Sequence, residues 1–586
     1  MSAVRPPDLA ETVSRWIADD PDPATRQELR LLLDAYAGEP GAEEPGGGAP
    51  EAGRAGAGAA TRELTERFAG PLRFGTAGLR GPVRAGPNGM NVAVVRRTTA
   101  GLAGWLRARG HGGGTVVVGR DARHGSEAFA AATAGVFAAA GFDVRTLPGP
   151  LPTPVLAFAV RALGAVAGVQ ITASHNPAPD NGYKVYLHDG AQLVTPSDTE
   201  IEAAIADAPP AAAIPVIEPA GTAYDPLPAY LRRVAGLPGG GDGGDGGGAR
   251  RARGLRIALT PLHGVGGAVA VAALGAAGFS DVHVVAEQAD PDPDFPTVSS
   301  PNPEDPRATE ALLALAAVTG AQLAIALDPD ADRCALGVPE PGTGTATEPR
   351  LEPGTATGWR MLTGDEVGAL LGEHLLSTRT WSDPLVASTV VSSSLLAKVA
   401  AAHGARHAET QTGFKWIMRA GGPEETRLVY GYEEAIGYCV DPGAVRDKDG
   451  ISAAVLAADL AAIRADAGSS LLEALDELAV RHGVHTTRSL TFPMTPDECA
   501  AALDRVARAW DAERPAPELL VIHRPGSRVA VRPSGTEPKL KAYLEVVEPV
   551  AGQPDLIAAR QRAGARLAML VAETATLIGG PPSPPC

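Results

Sequence analysis

The feature that most restricts the fold is a pattern that recurs three times along the chain. Thr115-Val-Val-Val118 runs into the polar turn Gly119-Arg-Asp-Ala-Arg-His-Gly-Ser126, then an Ala-rich stretch, then Ala138-Ala-Ala-Gly-Phe-Asp-Val144. Leu255-Arg-Ile-Ala-Leu259 runs into Thr260-Pro-Leu-His-Gly-Val-Gly-Gly267, a second Ala-rich stretch and Gly275-Ala-Ala-Gly-Phe-Ser-Asp-Val282. Leu385 to Val391 leads into Ser392-Ser-Ser-Leu-Leu-Ala-Lys-Val-Ala-Ala-Ala-His-Gly-Ala-Arg406. Each unit reads as strand, polar turn, helix, glycine, strand. That is a βαβ unit, and such units build mixed or parallel sheets covered by helices. Three copies predict three tandem αβα domains, and a chain of 586 residues is too long for one core.

The last hundred residues break the pattern. Glu473 to Arg481 has helical spacing, whereas Thr486 to Phe492 and Arg528 to Val547 alternate like antiparallel strands. A fourth domain of α+β type is expected there. The domain expectations are 1–213, 214–345, 346–475 and 476–578, with 579–586 as a disordered tail. Gly41 to Ala60, Gly239 to Gly248, Pro339 to Gly358 and the Pro-rich tail lack apolar periodicity and read as solvated, mobile linkers or insertions.

Charge and cysteines exclude several functions. The net charge of −17 argues against nucleic acid or an anionic membrane as partner, since both reward clustered Lys and Arg. A local cationic pocket for a phosphorylated substrate remains compatible with it. Cys334, Cys439, Cys499 and Cys586 form no CxxC pair, so neither a zinc site nor a disulfide framework is expected. The N-terminal residues carry no apolar signal-peptide core, and the apolar run Ala311 to Leu327 reads as a helix followed by a strand. A soluble, cytoplasmic protein is expected. Only six of the 51 basic residues are Lys (Lys184, Lys398, Lys415, Lys448, Lys539 and Lys541), so each retained Lys invites a reason.

Four segments carry chemistry. In Gly168-Val-Gln-Ile-Thr-Ala-Ser-His-Asn-Pro177 an apolar strand runs into a polar turn, the place where open α/β sheets put their reactive groups. Ser174 is the candidate nucleophile there, and its weak hydroxyl needs a base, for which His175 and Lys184 are the nearby choices. In Leu323-Ala-Ile-Ala-Leu-Asp-Pro-Asp-Ala-Asp-Arg333 a strand ends in the alternating carboxylates Asp328, Asp330 and Asp332. Oxygen-only ligands point to Mg²⁺, and Arg333 beside them suits a phosphate. An EF-hand is excluded by Arg333 and Pro339 at its sixth and twelfth positions. Tyr430-Gly-Tyr-Glu-Glu-Ala-Ile-Gly-Tyr438 offers Glu433 and Glu434 for vicinal sugar hydroxyls, with Lys448-Asp-Gly450 shortly after. Between two strands, Arg532, Ser534, Gly535 and Thr536 supply the converging donors of an anion-binding nest.

Together these segments resemble the α-D-phosphohexomutase superfamily, in both content and order, over roughly Arg73 to Glu545. Arg73-Phe-Gly-Thr-Ala-Gly-Leu-Arg-Gly81 and Thr412-Gly-Phe-Lys415 are similar to two further active-site loops of that family, placing Arg80 at the phosphoserine and Lys415 in the substrate site. The resemblance implies three αβα domains and a C-terminal domain like the TATA-binding-protein fold around one cleft. It implies that phospho-Ser174 donates its phosphoryl group to a sugar phosphate, that the resulting bisphosphate turns over, and that its other phosphate returns to Ser174. It also implies one Mg²⁺ held by Ser174, Asp328, Asp330 and Asp332, with glucose 1,6-bisphosphate or a similar sugar bisphosphate as activator. Lys184, expected on a cleft-facing polar loop, is favoured over His175 as proton shuttle.

One departure bears on the substrate. Many hexose-specific relatives carry Gly-Glu-x-Ser in the sugar loop, where this chain has Tyr432 and Ala435, as in phosphoglucomutase-2-like and phosphopentomutase-like enzymes. Glucose 1-phosphate and glucose 6-phosphate are the leading substrates. Mannose or pentose phosphates, sugar-bisphosphate synthesis and, further off, a metal-dependent phosphatase are the alternatives. A monomer or homodimer is expected.

Overall fold

The computed structural model describes residues 9–37, 51–75, 78–238, 254–340, 358–422, 427–534 and 539–580. The chain divides into two compact units, one formed by Met1–Pro226 with Asp292–Asp294, the other by Leu227–Pro291 with Phe295–Cys586.

The first unit is built on a mixed six-stranded sheet. Thr115–Arg120 lies parallel to Asp143–Pro150 on one side and to Ala167–Ile171 on the other. Asp180–Leu187 returns antiparallel to Ala167–Ile171, and Leu79–Pro82 and Thr222–Ala223 form the edges. The central strands are apolar on both faces because helices cover both sides, as in a parallel sheet. The N-terminal residues add the helices Leu9–Asp19, Pro23–Ala37 and Glu51–Arg67, whose Val13, Leu29 and Leu64 form a small core of their own. The reading of Gly41 to Ala60 as a linker therefore fails from Glu51 onward. Alanine has the highest helix propensity, and the apolar and basic residues further along the helix supply the anchor: Leu64 is fully buried, and Arg67 pairs with Glu28 at 2.5 Å. The Gly239 to Gly248 run and residues 581–586 of the tail lie outside the described residues, as does nearly all of Pro339 to Gly358.

The second unit repeats the design twice. Ile257–Thr260 pairs in parallel with Val282–Val284 and Leu323–Leu327, and Cys334–Pro339 returns antiparallel. Leu385–Thr389 pairs in parallel with Arg406–Thr410 and Leu428–Glu433, and Gly437–Cys439 returns antiparallel. The same hairpin thus recurs in all three sheets: a buried parallel strand, a short turn, an antiparallel return. Each of the three turns contains a non-glycine residue in the left-handed region, Ser174 at φ 54, Ala331 at φ 53 and Ile436 at φ 51. The fourth sheet is wholly antiparallel, in the order Val484–Pro493, Lys539–Glu548, Ser527–Pro533, Leu519–Arg524, Glu513–Ala516. The helices Pro496–Ala509 and Leu556–Ile578 bury their apolar sides in its core with Phe492, Val531 and Leu544. The expected α/β fold class, with mixed sheets followed by an α+β domain, is what the chain forms.

Candidate active site

In the first unit Ser174 sits at the tip of the first hairpin, 1% exposed, with its amide donating to Thr172 Oγ1 at 3.0 Å. Its hydroxyl lies 3.3 Å from His175 Nδ1, within reach for proton exchange. Arg80, on the edge strand, donates to Asn176 Oδ1 at 3.1 Å, so its guanidinium lies beside this turn. Lys184 is elsewhere than expected. It is the middle of the strand Asp180–Leu187, opposite Gln170, and has no solvent exposure. The polar letters Asp-Asn-Gly before it suggested a loop, but they pair with Leu79–Pro82 as strand. Gly182 is required there, because a Cβ would stand 2.5 Å from the Thr172 carbonyl oxygen and 2.6 Å from that of Leu79.

Arg123 was missed by the sequence reading. Its buried guanidinium donates to the carbonyl oxygens of Ser174 at 2.6 Å, Asn176 at 2.5 Å, Pro177 at 2.8 Å and Asp180 at 3.0 Å. One cation therefore stitches the whole serine turn from beneath. Asp121, 3.5 Å away and equally buried, balances it. Burial pushes the Asp121 carboxyl up, while Arg123 and the Ser126 hydroxyl oppose that shift. The signal was the pair of opposite charges in Asp121-Ala-Arg123 just after the buried run Val116–Val118, a place where isolated charges are costly and pairs are kept.

In the second unit the ligand atoms of Asp328, Asp330 and Asp332 lie within 4.8 Å of one another, and all three residues are buried. Three buried carboxylates so close could hold a hard divalent cation. The turn is held by main chain: Ala331 N donates to Asp328 O at 2.8 Å, and Arg333 N to Asp328 Oδ1 at 3.0 Å. Gly450 N donates to Ala331 O at 3.1 Å, and a Cβ at Gly450 would stand 2.4 Å from Arg333 O, so only glycine permits the approach. Cys334 N bonds to Ile436 O at 3.1 Å, tying the aspartate hairpin to the glutamate hairpin.

Cations surround this cluster. Lys448 Nζ is 3.4 Å from Asp332, 3.8 Å from Asp447 and 4.0 Å from Glu433, and 5.5 Å from the centre of the Phe414 ring. Burial opposes the ammonium charge, but Asp332, Asp447 and Glu433 outweigh it and hold Lys448 above its ordinary range. Arg333 reaches Glu304 at 3.4 Å and is held likewise by Glu304 and Glu433 against burial. Lys448 and Glu304 were not assigned from sequence. The retained lysine was the available signal for the first; an ordinary acidic loop concealed the second. Lys415 lies half-buried on the short helix Phe414–Ile417, one residue from the ring that Lys448 faces.

The two glutamates part company. Burial raises Glu433, with Lys448 and Arg333 pulling back. Glu434 turns away: its Oε2 accepts from Thr389 Oγ1 and Ser392 Oγ, each at 3.1 Å. Burial, then the charges of Glu433 and Asp365, push its carboxyl up to about 7. In the antiparallel sheet Arg532 lies on Ser527–Pro533; burial and the Glu434 charge push the Tyr543 hydroxyl up, and Arg532 opposes that shift. Ser534 N donates to Lys539 O at 2.8 Å, closing the base of the loop. Gly535 and Thr536 lie outside the described residues. Among the described residues Cys334, Cys439 and Cys499 are free thiols, and no helix is long and apolar enough to cross a membrane.

Residues 71–211, 247–342 and 363–481 match alpha/beta/alpha domains I, II and III of phosphoglucomutase/phosphomannomutase, and 492–553 match its C-terminal domain. The chain belongs to the phosphoglucomutase/phosphomannomutase family, within the α-D-phosphohexomutase superfamily, and is an enzyme of the phosphotransferase type that family comprises. It is 36% identical over 458 residues to a probable phosphomannomutase of Haemophilus influenzae, covering 74% of this chain and 88% of the relative. It is 30% identical over 612 residues to a phosphopentomutase of Mus musculus, covering 92% and 90%. A human glucose 1,6-bisphosphate synthase is 29% identical over 614 residues, with 92% and 90% covered. Among solved structures, a phosphoglucomutase/phosphomannomutase family protein from Burkholderia thailandensis has a TM-score of 0.63 at 22% identity, covering 88% of this chain and 99% of that one. The Paramecium phosphoglucomutase parafusin has a TM-score of 0.65 at 18% identity, covering 87% and 96%. These last two are likenesses of fold.

Proposed function

We propose that the enzyme moves a phosphoryl group between the anomeric and terminal hydroxyls of an aldose phosphate, with glucose 1-phosphate and glucose 6-phosphate as its leading pair. The observation that carries this reading is the repeated hairpin, whose equivalent turns offer a nucleophile at Ser174, a carboxylate triad at Asp328–Asp332 and a glutamate at Glu433. Phosphorylated Ser174 is the donor. His175, whose Nδ1 is 3.3 Å from the serine hydroxyl, and Lys184, fully buried on the return strand, are the candidate proton shuttles. Asp328, Asp330 and Asp332 would hold Mg²⁺, which supplies charge neutralisation for phosphoryl transfer. Glu433 accepts from sugar hydroxyls, Arg333 and Lys415 attract phosphate, and Arg532 with Ser534, Gly535 and Thr536 holds the phosphate that is not reacting. A sugar bisphosphate is the intermediate and, when lost, the reactivator. Positioning and charge neutralisation dominate such chemistry, since the transition state is loose.

A second reading, pentose phosphates as substrates, is favoured by Ala435, which offers no hydroxyl to a hexose, and by the full-length likeness to phosphopentomutases. A coupled assay across glucose, mannose, ribose and deoxyribose 1-phosphates ranks the substrates, and inorganic phosphate released in parallel separates a mutase from a phosphatase. Arg532→Ala should raise KM by about tenfold or more, the worth of a charge-assisted hydrogen bond, and deepen dependence on added sugar bisphosphate. Phosphate release equal to substrate loss in the parent enzyme overturns the mutase reading.

A further inference from the structure

The turn after the strand Leu385–Thr389 does more than lead into a helix. Its hydroxyls and amides gather three carboxylates from three different segments. Ser392 Oγ and Thr389 Oγ1 donate to Glu434 of the sugar loop, and Glu434 N donates back to Ser392 Oγ at 3.1 Å. Ser393 Oγ donates to Glu545 Oε1 at 2.7 Å, and Ser394 N to the same oxygen at 2.8 Å. Ser393 N donates to Asp365 Oδ1 at 2.7 Å, and the other oxygen of Asp365 takes the Thr487 hydroxyl at 2.9 Å.

Glu545 and Thr487 belong to the antiparallel sheet. So does Arg528, which donates to the Ser392 carbonyl and lies 3.5 Å from Glu545, its partner across the strands. Side chains alternate along a strand, so Arg528, Ala530 and Arg532 share one face, and Glu545, Tyr543 and Lys541 share it beside them. Val390 and Val391 of the turn pack against Ala530 and Tyr543 on that face. The turn therefore grips the sheet at Arg528 and Glu545, one end of the row that carries Arg532, and grips the sugar loop at Glu434.

We propose that the Thr389–Ser394 turn is a specificity ruler: it sets the span from the sugar loop to Arg532, with Ser392, Ser393 and Glu434 as positioning residues. A hexose 6-phosphate and a pentose 5-phosphate differ by one carbon in the reach from ring to phosphate, so a fixed span selects between them. Glu434 is then a strut beside the sugar-contacting Glu433. The inference rests on the mutase reading, with Glu433 on the sugar and Arg532 on phosphate.

The test compares kcat/KM for glucose 1-phosphate and ribose 1-phosphate in the parent and in Ser392→Ala, Ser393→Ala, Glu434→Gln and Glu434→Ala. Both substrates are measured on one preparation, so any misfolded fraction cancels in the ratio. Each serine variant should move the parent's selectivity toward one by about three- to tenfold, the effect of one lost hydrogen bond, mainly through KM. Glu434→Gln keeps a carbonyl acceptor and should retain the selectivity, whereas Glu434→Ala should follow Ser392→Ala. Unchanged ratios in both serine variants overturn the ruler. So does a Glu434→Gln as damaging as Glu434→Ala beside neutral serine variants, because Glu434 would then touch the sugar itself. If the parent turns over neither substrate, the mutase reading fails separately, and calorimetric affinities for glucose 6-phosphate and ribose 5-phosphate in the same variants still decide the ruler.

Discussion

The serine hairpin and the aspartate hairpin share a backbone and differ in how their charge is balanced. Both follow a buried five-residue strand, Ala167–Ile171 and Leu323–Leu327, and both place one non-glycine residue in the left-handed region. The serine turn is closed from within: Arg123 meets three of its carbonyls and that of Asp180 where the return strand begins, and Asp121 offsets Arg123. The aspartate turn brings three buried carboxylates together, with Lys448 3.4 Å and Arg333 4.0 Å from Asp332. A turn that balances itself can be ready before any ligand arrives. Clustered carboxylates repel one another, so a bound cation would relieve the aspartate turn.

Four experiments would break or sharpen this contrast. Ser174→Ala should abolish phosphoryl transfer, a loss of about a thousandfold or more if the hydroxyl is the nucleophile. Peptide mass spectrometry after incubation with a sugar bisphosphate should place the label on Ser174 in the parent, and a label found only elsewhere removes the serine hairpin from the reaction. Asp330→Asn should cost roughly a hundredfold in Mg²⁺-dependent activity while leaving the metal-free protein as stable or more so, since one repulsive charge is gone. Magnesium titrations of activity, paired with thermal melts in chelator, read both; unchanged metal dependence would remove the aspartate turn from the metal site.

Arg123→Met should act on the other hairpin with no change in metal dependence. It leaves Asp121 buried without its cation, for a destabilisation of about 3–5 kcal/mol, and it releases the serine turn. Arg123→Lys, which keeps the charge but loses the fork, should fold better yet still turn over about tenfold more slowly. Denaturant melts beside kcat separate the two effects, and a fully active Arg123→Met would show that the serine turn holds its own shape.

The smallest effect concerns the third hairpin. The Glu434 carboxyl titrates at about 7 in the folded chain against an ordinary value of 4.5. Between those values the folded state holds a proton the unfolded chain has lost. The stabilisation is therefore complete below about pH 4.5 and disappears as the pH rises through about 7. Asp365 and Asp449, both pushed up to about 6 by burial, add to the same trend. Melting temperature should fall between about pH 5.5 and 8, and Glu434→Gln, which cannot titrate, should flatten that fall by a degree or two. An equal slope in the variant would mean that Glu434 stays ionised throughout.

Much of this was legible in the sequence for physical reasons that can be named. The parallel strands had to be apolar on both faces, so Leu323–Leu327 announced itself, and the alternating carboxylates after it pointed to a cation. The α+β end was visible in the alternation of Arg528 to Val547. What was not legible depends on long-range partners. Lys184 was placed on a loop because Asp180-Asn-Gly182 is turn-like in isolation, and only pairing with Leu79–Pro82 makes it strand. Glu433 and Glu434 look equivalent as letters, and only Thr389 and Ser392, more than forty positions upstream by count, turn one of them away. Arg123 lies 51 residues before Ser174, and nothing local says which carbonyls it will meet.

The left-handed residues at Ser174, Ala331 and Ile436 have a consequence for how such a chain can change over generations. If the three sheets descend from copies of one ancestral unit, the bend itself, made by main chain and surroundings, was inherited in each copy, while the side chains displayed on it were free to diverge. Scaffold and payload are then separable: the group displayed at a bend can change while the fold of that copy is kept. The same separation makes these bends natural places for combinatorial libraries, since residues 174–176, 328–332 and 434–436 could be varied with the flanking strands left untouched.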